Sequence, residues 1–203
     1  MTATERQSTF ICPILVGRDD LLDLADRRLA SALAGEGQLV LLAGEAEIGK
    51  SRLLGAIGRR AGLAGFSLST AAAFPGDLEI AGGLLIDLAR GLGRGTAPAS
   101  SEPTGRRIEA RLLGDEGHSD GDAHRRRRLL VLDLADLLAG LADDGPAAIL
   151  LEDLHWADDL SLEVLAQLAR RLRDLPLVVV GTYRTAATSS TRGSRCGSGA
   201  RAC

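Results

Sequence analysis

Eight consecutive residues, Gly44, Glu45, Ala46, Glu47, Ile48, Gly49, Lys50 and Ser51, match the pattern G-x-x-x-x-G-K-[ST] in full. In that pattern the glycines let backbone N–H groups approach an anion, the lysine brings a compact positive charge to the outer phosphates of a nucleotide, and the serine hydroxyl can join a Mg²⁺ shell. Lys50 is the only lysine, and every other member of the 24 basic residues is an arginine. An arginine fork is planar and wide, so lysine is kept at the one position where a point charge must enter a tight loop. A second constellation is the acid pair Glu152 and Asp153, directly after the apolar run Ala148, Ile149, Leu150, Leu151. A carboxylate at the C-terminal end of a parallel strand can hold Mg²⁺, usually through water, and its neighbour can orient or deprotonate an attacking water. Adjacent strand residues point to opposite faces, so the two share one role only if the strand has already turned. Glu152 is assigned to metal and Asp153 to water; the plainer alternative is an acid pair that opens a solvent loop.

The elements around these residues fit the requirement. Gln38 to Ala43 is a short apolar run of the buried-strand type, and Ser51 to Ala61 can continue as a helix, which gives strand, glycine loop, helix. Before it, Asp19 to Ala34 carries Leu22, Ala25, Leu29 and Leu33 at helical spacing. After it come an expected strand over Phe66 to Thr70, a helix over Ile80 to Leu92, and a stretch, Gly93 to Asp122, rich enough in Gly, Ser, Pro and charge to read as a mobile surface segment. A helix then runs through Leu130, Leu134, Leu137, Leu138 and Leu141 to Asp143, Asp144, Gly145, Pro146. The strand Ala147 to Leu151, the helix Leu160 to Leu172 and the strand Leu177 to Val180, closed by Gly181, complete the pattern. Strands alternating with helices predict an α/β fold of three layers around a mainly parallel sheet.

Composition sets the limits. The 203 residues suffice for one substantial domain, and with 45% hydrophobic but only 2% aromatic residues its core is built from Leu, Ala, Val and Ile. A net charge of -3 gives no general attraction to nucleic acid or an anionic membrane, no apolar run reaches spanning length, and Met1 to Thr9 is too polar for a signal peptide, so a cytoplasmic protein is expected. Cys12, Cys196 and Cys203 have neither metal-ligand spacing nor a paired framework and read as free thiols.

Several segments together resemble the ATPase core of the STAND branch of AAA-type P-loop proteins, in particular that of large LuxR-type ATPase regulators of actinobacteria. The resemblance spans about residues 14 to 184. It is carried by Leu15, Val16, Gly17, Arg18; by the Gly44 to Ser51 loop; by Leu151, Glu152, Asp153, Leu154, His155, Trp156, Ala157, Asp158; and by Val179, Val180, Gly181, Thr182, Tyr183, Arg184. It implies an ATP-binding, slowly hydrolysing switch with Mg²⁺ as its metal. Lys50, Asp153 and Arg184 would be the catalytic set, and Ser51 with Glu152 would hold the metal. Gly17, Arg18 and the whole loop from Gly44 through Glu45, Ala46, Glu47, Ile48, Gly49, Lys50 and Ser51 to Arg52 would contact the nucleotide. By similarity, Arg184 would sense the γ-phosphate. Partners implied are ATP and ADP, and either self-association or a regulatory protein. The family's DNA-binding role belongs to a part of those regulators that these residues do not resemble, so no direct nucleic-acid contact is expected, and none with a membrane.

Plainer readings stand beside these: Arg18 pairing with a helix-end acid, His155 and Trp156 packing under the sheet edge, Asp158 capping the helix near Leu160, Arg184 as a solvated strand-end charge, and Arg125 to Arg128 as a solvated helix start. Two departures from the family pattern matter. Glu47 stands where related loops commonly have glycine, which brings a Cβ and a negative charge toward an anionic ligand. Beyond Arg184 the resemblance stops: Thr185 to Cys203 reads as a disordered tail, like residues 1–13 at the other end, and the chain is expected to be truncated relative to its resemblers. The alternatives to an ATPase switch are an inactive nucleotide-binding or interaction module and a P-loop kinase acting on a small molecule.

Overall fold

The computed structural model describes residues 17–94, 102–113 and 120–185. Leu15, Val16, the three cysteines and nearly all of both expected tails lie outside those residues. The chain order is α1 (Asp19–Leu33), β1 (Gln38–Gly44), α2 (Lys50–Leu63), β2 (Ser67–Ala72), α3 (Gly83–Arg94), α4 (Glu102–Leu113), α5 (Asp120–Asp143), β3 (Ala147–Glu152), α6 (Asp159–Leu168) and β4 (Leu177–Arg184). The four strands form one parallel sheet in the order β1-β4-β3-β2. Helices flank both faces, which is the three-layer α/β/α arrangement expected from the alternation of elements, and with the glycine loop after β1 it is the P-loop fold that the resemblance implied.

The period of two in β3 and β4 builds both cores. Ala148, Leu150, Val178 and Val180 face α1 and α2, while Ala147, Ile149, Leu151, Leu177 and Val179 face α3, α5 and α6. Gly181 does not close β4 as expected but lies inside it. A Cβ there would stand 2.5 Å from Leu154 Cδ1 and 3.2 Å from Leu41 Cδ2, so glycine allows the strand to continue to Arg184 beneath the turn that follows β3.

Other boundaries move for physical reasons. The expected mobile stretch 93–122 contains α4, whose Ile108 is buried against α3 and α5 with Leu112 packed beside it. Asp133 on α5, itself buried, accepts from Arg107 at 3.0 Å and Arg111 at 2.9 Å and fastens α4 sideways. The helix expected from Ile80 begins at Gly83, after a 3-10 turn over Pro75–Glu79 and Gly82 at φ +81°. α6 ends at Leu168; Leu172 is buried, but in a separate 3-10 turn, Leu172–Asp174. In α1 the inward face uses Ala32 rather than Leu33, which is exposed. The arginines 125 to 128 lie within α5, where Arg127 pairs with Glu163 at 2.9 Å.

β1 is the largest departure. Its apolar run reads as a buried strand, yet it forms an edge of the described sheet: Leu39 and Leu41 are 44% and 52% exposed. They line an apolar groove of about 180 Å³ with Leu154, Leu162, Leu165 and Val179. None of the residues Gly44 to Ser51 takes part in it. Among the described residues, no helix is long and apolar enough to cross a membrane.

Candidate functional site

The chain leaves β1 at Gly44, crosses an exposed loop and enters α2 through Gly49, whose φ of +89° belongs to the left-handed region that glycine adopts without strain. No side chain caps α2, and no acid stands in its first turn to repel an anion. A Cβ on Gly49 would meet nothing closer than Arg18 Nη2, at 3.9 Å. Lys50 is only 8% exposed, and its Nζ donates to the Gly44 carbonyl at 2.9 Å and the Glu45 carbonyl at 2.6 Å, which folds the ammonium back into the loop. Ser51 and Arg52 follow in the first turn, both exposed. An uncapped helix of 14 residues and a buried ammonium are donors a polyphosphate requires, so the residues present fit a nucleotide.

Glu47 does not share that economy. It is exposed at the loop tip with φ +62°, one of two non-glycine residues among those described that take a positive φ. Arg18 does not take the plainer role of pairing with a helix-end acid: its Nη2 donates to the Ile48 carbonyl, 30 residues away, and so props the far side of the loop. Gly17 precedes it at φ +71°.

The second half of the site comes from the ends of β3 and β4. Glu152 is the last residue of β3 and lies opposite Ala72. Asp153 has already left the strand, at φ +54°, so the alternation that would have sent the two carboxylates to opposite faces no longer holds. Its amide donates to Thr182 Oγ1 at 2.9 Å, and Thr182 is fully buried in β4. Arg184 ends β4 opposite Gly44 and is exposed; the amide of Thr185 donates to the Gly44 carbonyl at 3.3 Å. Glycine loop, acid pair and strand-end arginine therefore stand at the carboxyl ends of three adjacent strands, β1, β4 and β3, where parallel sheets gather ligands.

His155 and Trp156 pack together as expected, ring centroids 4.9 Å apart and tilted by 42°. Burial pushes the His155 pKa below its ordinary value; Asp153 pulls it up, and the positive charges of Arg184 and Lys50 push it down. Two segments distant in sequence, the phosphate loop and the end of β4, are thus felt at one imidazole. Asp158 caps α6, accepting from the Ser161 amide at 3.0 Å, and it also accepts from the Gly82 amide at 2.9 Å. The support given by Thr182 was not legible in advance. Its only signal is a hydroxyl shortly after a run of three valines, a position where a buried polar atom must find a partner. Among the described residues no group of three or more His, Cys, Asp or Glu could hold a metal alone. A Mg²⁺ held by Ser51 and Glu152 would thus draw most of its ligands from phosphate and water.

A protein-family profile described as AAA ATPase domain matches residues 14–180. An uncharacterized protein of Rhizobium meliloti (strain 1021) is 29% identical over an alignment of 192 positions that covers 84% of this chain; the chain spans 18% of that protein's length. Among solved structures, Drosophila ORC bound to DNA aligns with a TM-score of 0.51 at 16% identity, covering 86% of this chain and 39% of that one. The Aeropyrum pernix ORC1 protein in complex with DNA aligns at 0.48 and 20%, covering 88% and 42%. At 16% identity the Drosophila structure bears on fold alone. The profile takes in the phosphate loop, the acid pair and the first half of β4, and stops short of Arg184. The chain belongs to the AAA ATPase domain family.

Proposed function

We propose that this domain binds Mg-ATP and hydrolyses it slowly, as a switch of the kind found in LuxR-type ATPase regulators. The observation that carries the reading is Lys50: a buried ammonium held on two loop carbonyls at the mouth of an uncapped helix, with Glu152, Asp153 and Arg184 at the ends of the neighbouring strands. Lys50 and the first-turn amides would take the β- and γ-phosphates, Ser51 and Glu152 would hold Mg²⁺, and Arg18 with Gly17 would keep the loop in its ligand-ready shape. Bound Mg²⁺ supplies charge neutralisation on the phosphoryl oxygens. Asp153, turned out of β3, would accept a proton from or orient the attacking water, and Arg184 would register whether a γ-phosphate is present. ATP rather than another nucleotide follows from the family. Self-association or a regulatory protein would read the bound state.

The deciding experiment is equilibrium binding of Mg-ATP to the 203-residue chain and to Lys50→Ala, after circular dichroism has established that both are folded. Binding by the wild type that weakens at least about a hundredfold in the variant is expected. Equal binding by both would overturn the assignment of Lys50. Hydrolysis is then read as phosphate release without any added acceptor, lost in Asp153→Asn. A second reading, a nucleotide-binding module without turnover, is favoured by Glu47, whose charge and positive φ both oppose a close polyphosphate. Binding with no phosphate release would select it.

A further inference from the structure

His155 lies in the turn between β3 and α6, and both ring nitrogens, Nδ1 and Nε2, are buried without a hydrogen-bond partner among the described residues. A buried imidazole in that state is costly, and such a group in a native fold calls for an explanation. Its Nδ1 lies 3.8 Å from Asp153 Oδ1, about one ångström beyond hydrogen-bond length. The ring has little freedom to look elsewhere. The backbone is pinned by Trp156 N to Asp153 O at 2.9 Å and Ala157 N to Leu154 O at 3.2 Å, and one ring face lies against Trp156. Asp153 is fixed through its backbone, by Thr182, while its side chain remains 42% exposed. The carboxylate is therefore the part that can move, and it needs only to swing toward a donor that is already oriented.

We propose that His155, carrying its proton on Nδ1, donates to the Asp153 carboxylate and holds it at the angle from which it addresses water, which makes His155 a positioning residue for the hydrolytic step. This rests on the role proposed for Asp153 above. The neutral imidazole suits the task. One nitrogen donates to the carboxylate while the other keeps its lone pair, and the positive charges of Arg184 and Lys50 favour that neutral form. The spacing explains why the motif puts histidine two residues after Asp153: the positive φ of Asp153 turns the chain sharply enough for a 3-10 turn to bring residue 155 back over its carboxylate.

Imidazole ¹⁵N shifts, read through couplings to the ring protons in the nucleotide-free chain, report the tautomer directly. The sequence has three histidines, so the set lost in His155→Leu identifies the one in question. The expected result is an Nδ1–H tautomer in the wild type that reverts to the ordinary Nε2–H form in Asp153→Gly, a variant that removes the carboxylate and tolerates the positive φ. An Nε2–H tautomer in the wild type, or one indifferent to Asp153→Gly, would overturn the proposal. In turnover, His155→Leu should lower kcat about tenfold or more with KM for ATP little changed, and His155→Asn, which keeps a donor where Nδ1 stands, should recover most of it. Equal kcat in Leu and Asn variants would reduce His155 to packing. Failure of the wild type to hydrolyse ATP would count against the function proposed above, while the tautomer would still decide the pairing.

Discussion

Glu47 holds a conformation that glycine would adopt without penalty, at the loop tip a polyphosphate must approach. Glu47→Gly removes a like charge and a Cβ together, and we expect Mg-ATP to bind about three- to tenfold more tightly at one fixed ionic strength, since the two effects together contribute of order 1 kcal/mol. Equal or weaker binding in a titration calorimeter would defeat that expectation. His155 gives a second prediction at this scale. Its folded-state pKa lies below the unfolded value of about 6.5, so the unfolded chain binds the extra proton first as pH falls. Stability should be full above that value and decline as pH drops below it toward the folded-state pKa; urea midpoints at a series of pH values, with a shallower decline in His155→Leu, test this. The residues of the glycine loop and the acid pair were legible because each stands in a contiguous pattern with a known geometry. The contact from Arg18 to Ile48 was not, because it joins positions 30 apart through a backbone carbonyl that has no side-chain signature.

At the scale of elements, periodicity located the strands and helices because both sheet faces are covered and an inward residue recurs every second or every third to fourth position. It failed for α4, whose flanking glycines, serine and prolines read as loop and whose inward face is short, with Ile108 and Leu112 as its main apolar contacts. What holds α4 is polar: two arginines converging on the buried Asp133 of α5, a pairing that needs the tertiary arrangement before it exists. Asp158 plays a comparable part between other elements. It caps α6 and receives the Gly82 amide just ahead of α3, so one carboxylate fixes two helix starts. Asp158→Ala leaves those buried amides without a partner and should lower unfolding free energy by about 2 kcal/mol in chemical denaturation. A loss under about 0.5 kcal/mol would mean that water replaces the carboxylate without penalty.

For the whole molecule, the sheet order leaves β1 on an edge with no proline, charge or bulge to discourage another strand. Nothing in Gln38 to Gly44 distinguishes an edge from a centre, which is why the apolar run suggested burial. The exposed Leu39 and Leu41 border an apolar groove, and the isolated chain should therefore associate as its concentration rises. Leu41→Lys should shift sedimentation toward the monomer without altering the far-ultraviolet spectrum; unchanged association in that variant would place the contact elsewhere.

The carbonyl of Gly44 serves two masters. It accepts from Lys50, the residue proposed to meet phosphate, and from the amide of Thr185, where the chain leaves the sheet. If a nucleotide draws the ammonium away, Thr185 becomes the only one of these two donors left on that oxygen, and its amide should exchange with solvent more slowly. By reciprocity, a pull on the chain beyond Thr185 loosens that amide, strengthens the hold of Gly44 on Lys50 and weakens the nucleotide. Occupancy of the loop and tension at the exit of β4 are then two readings of a single equilibrium.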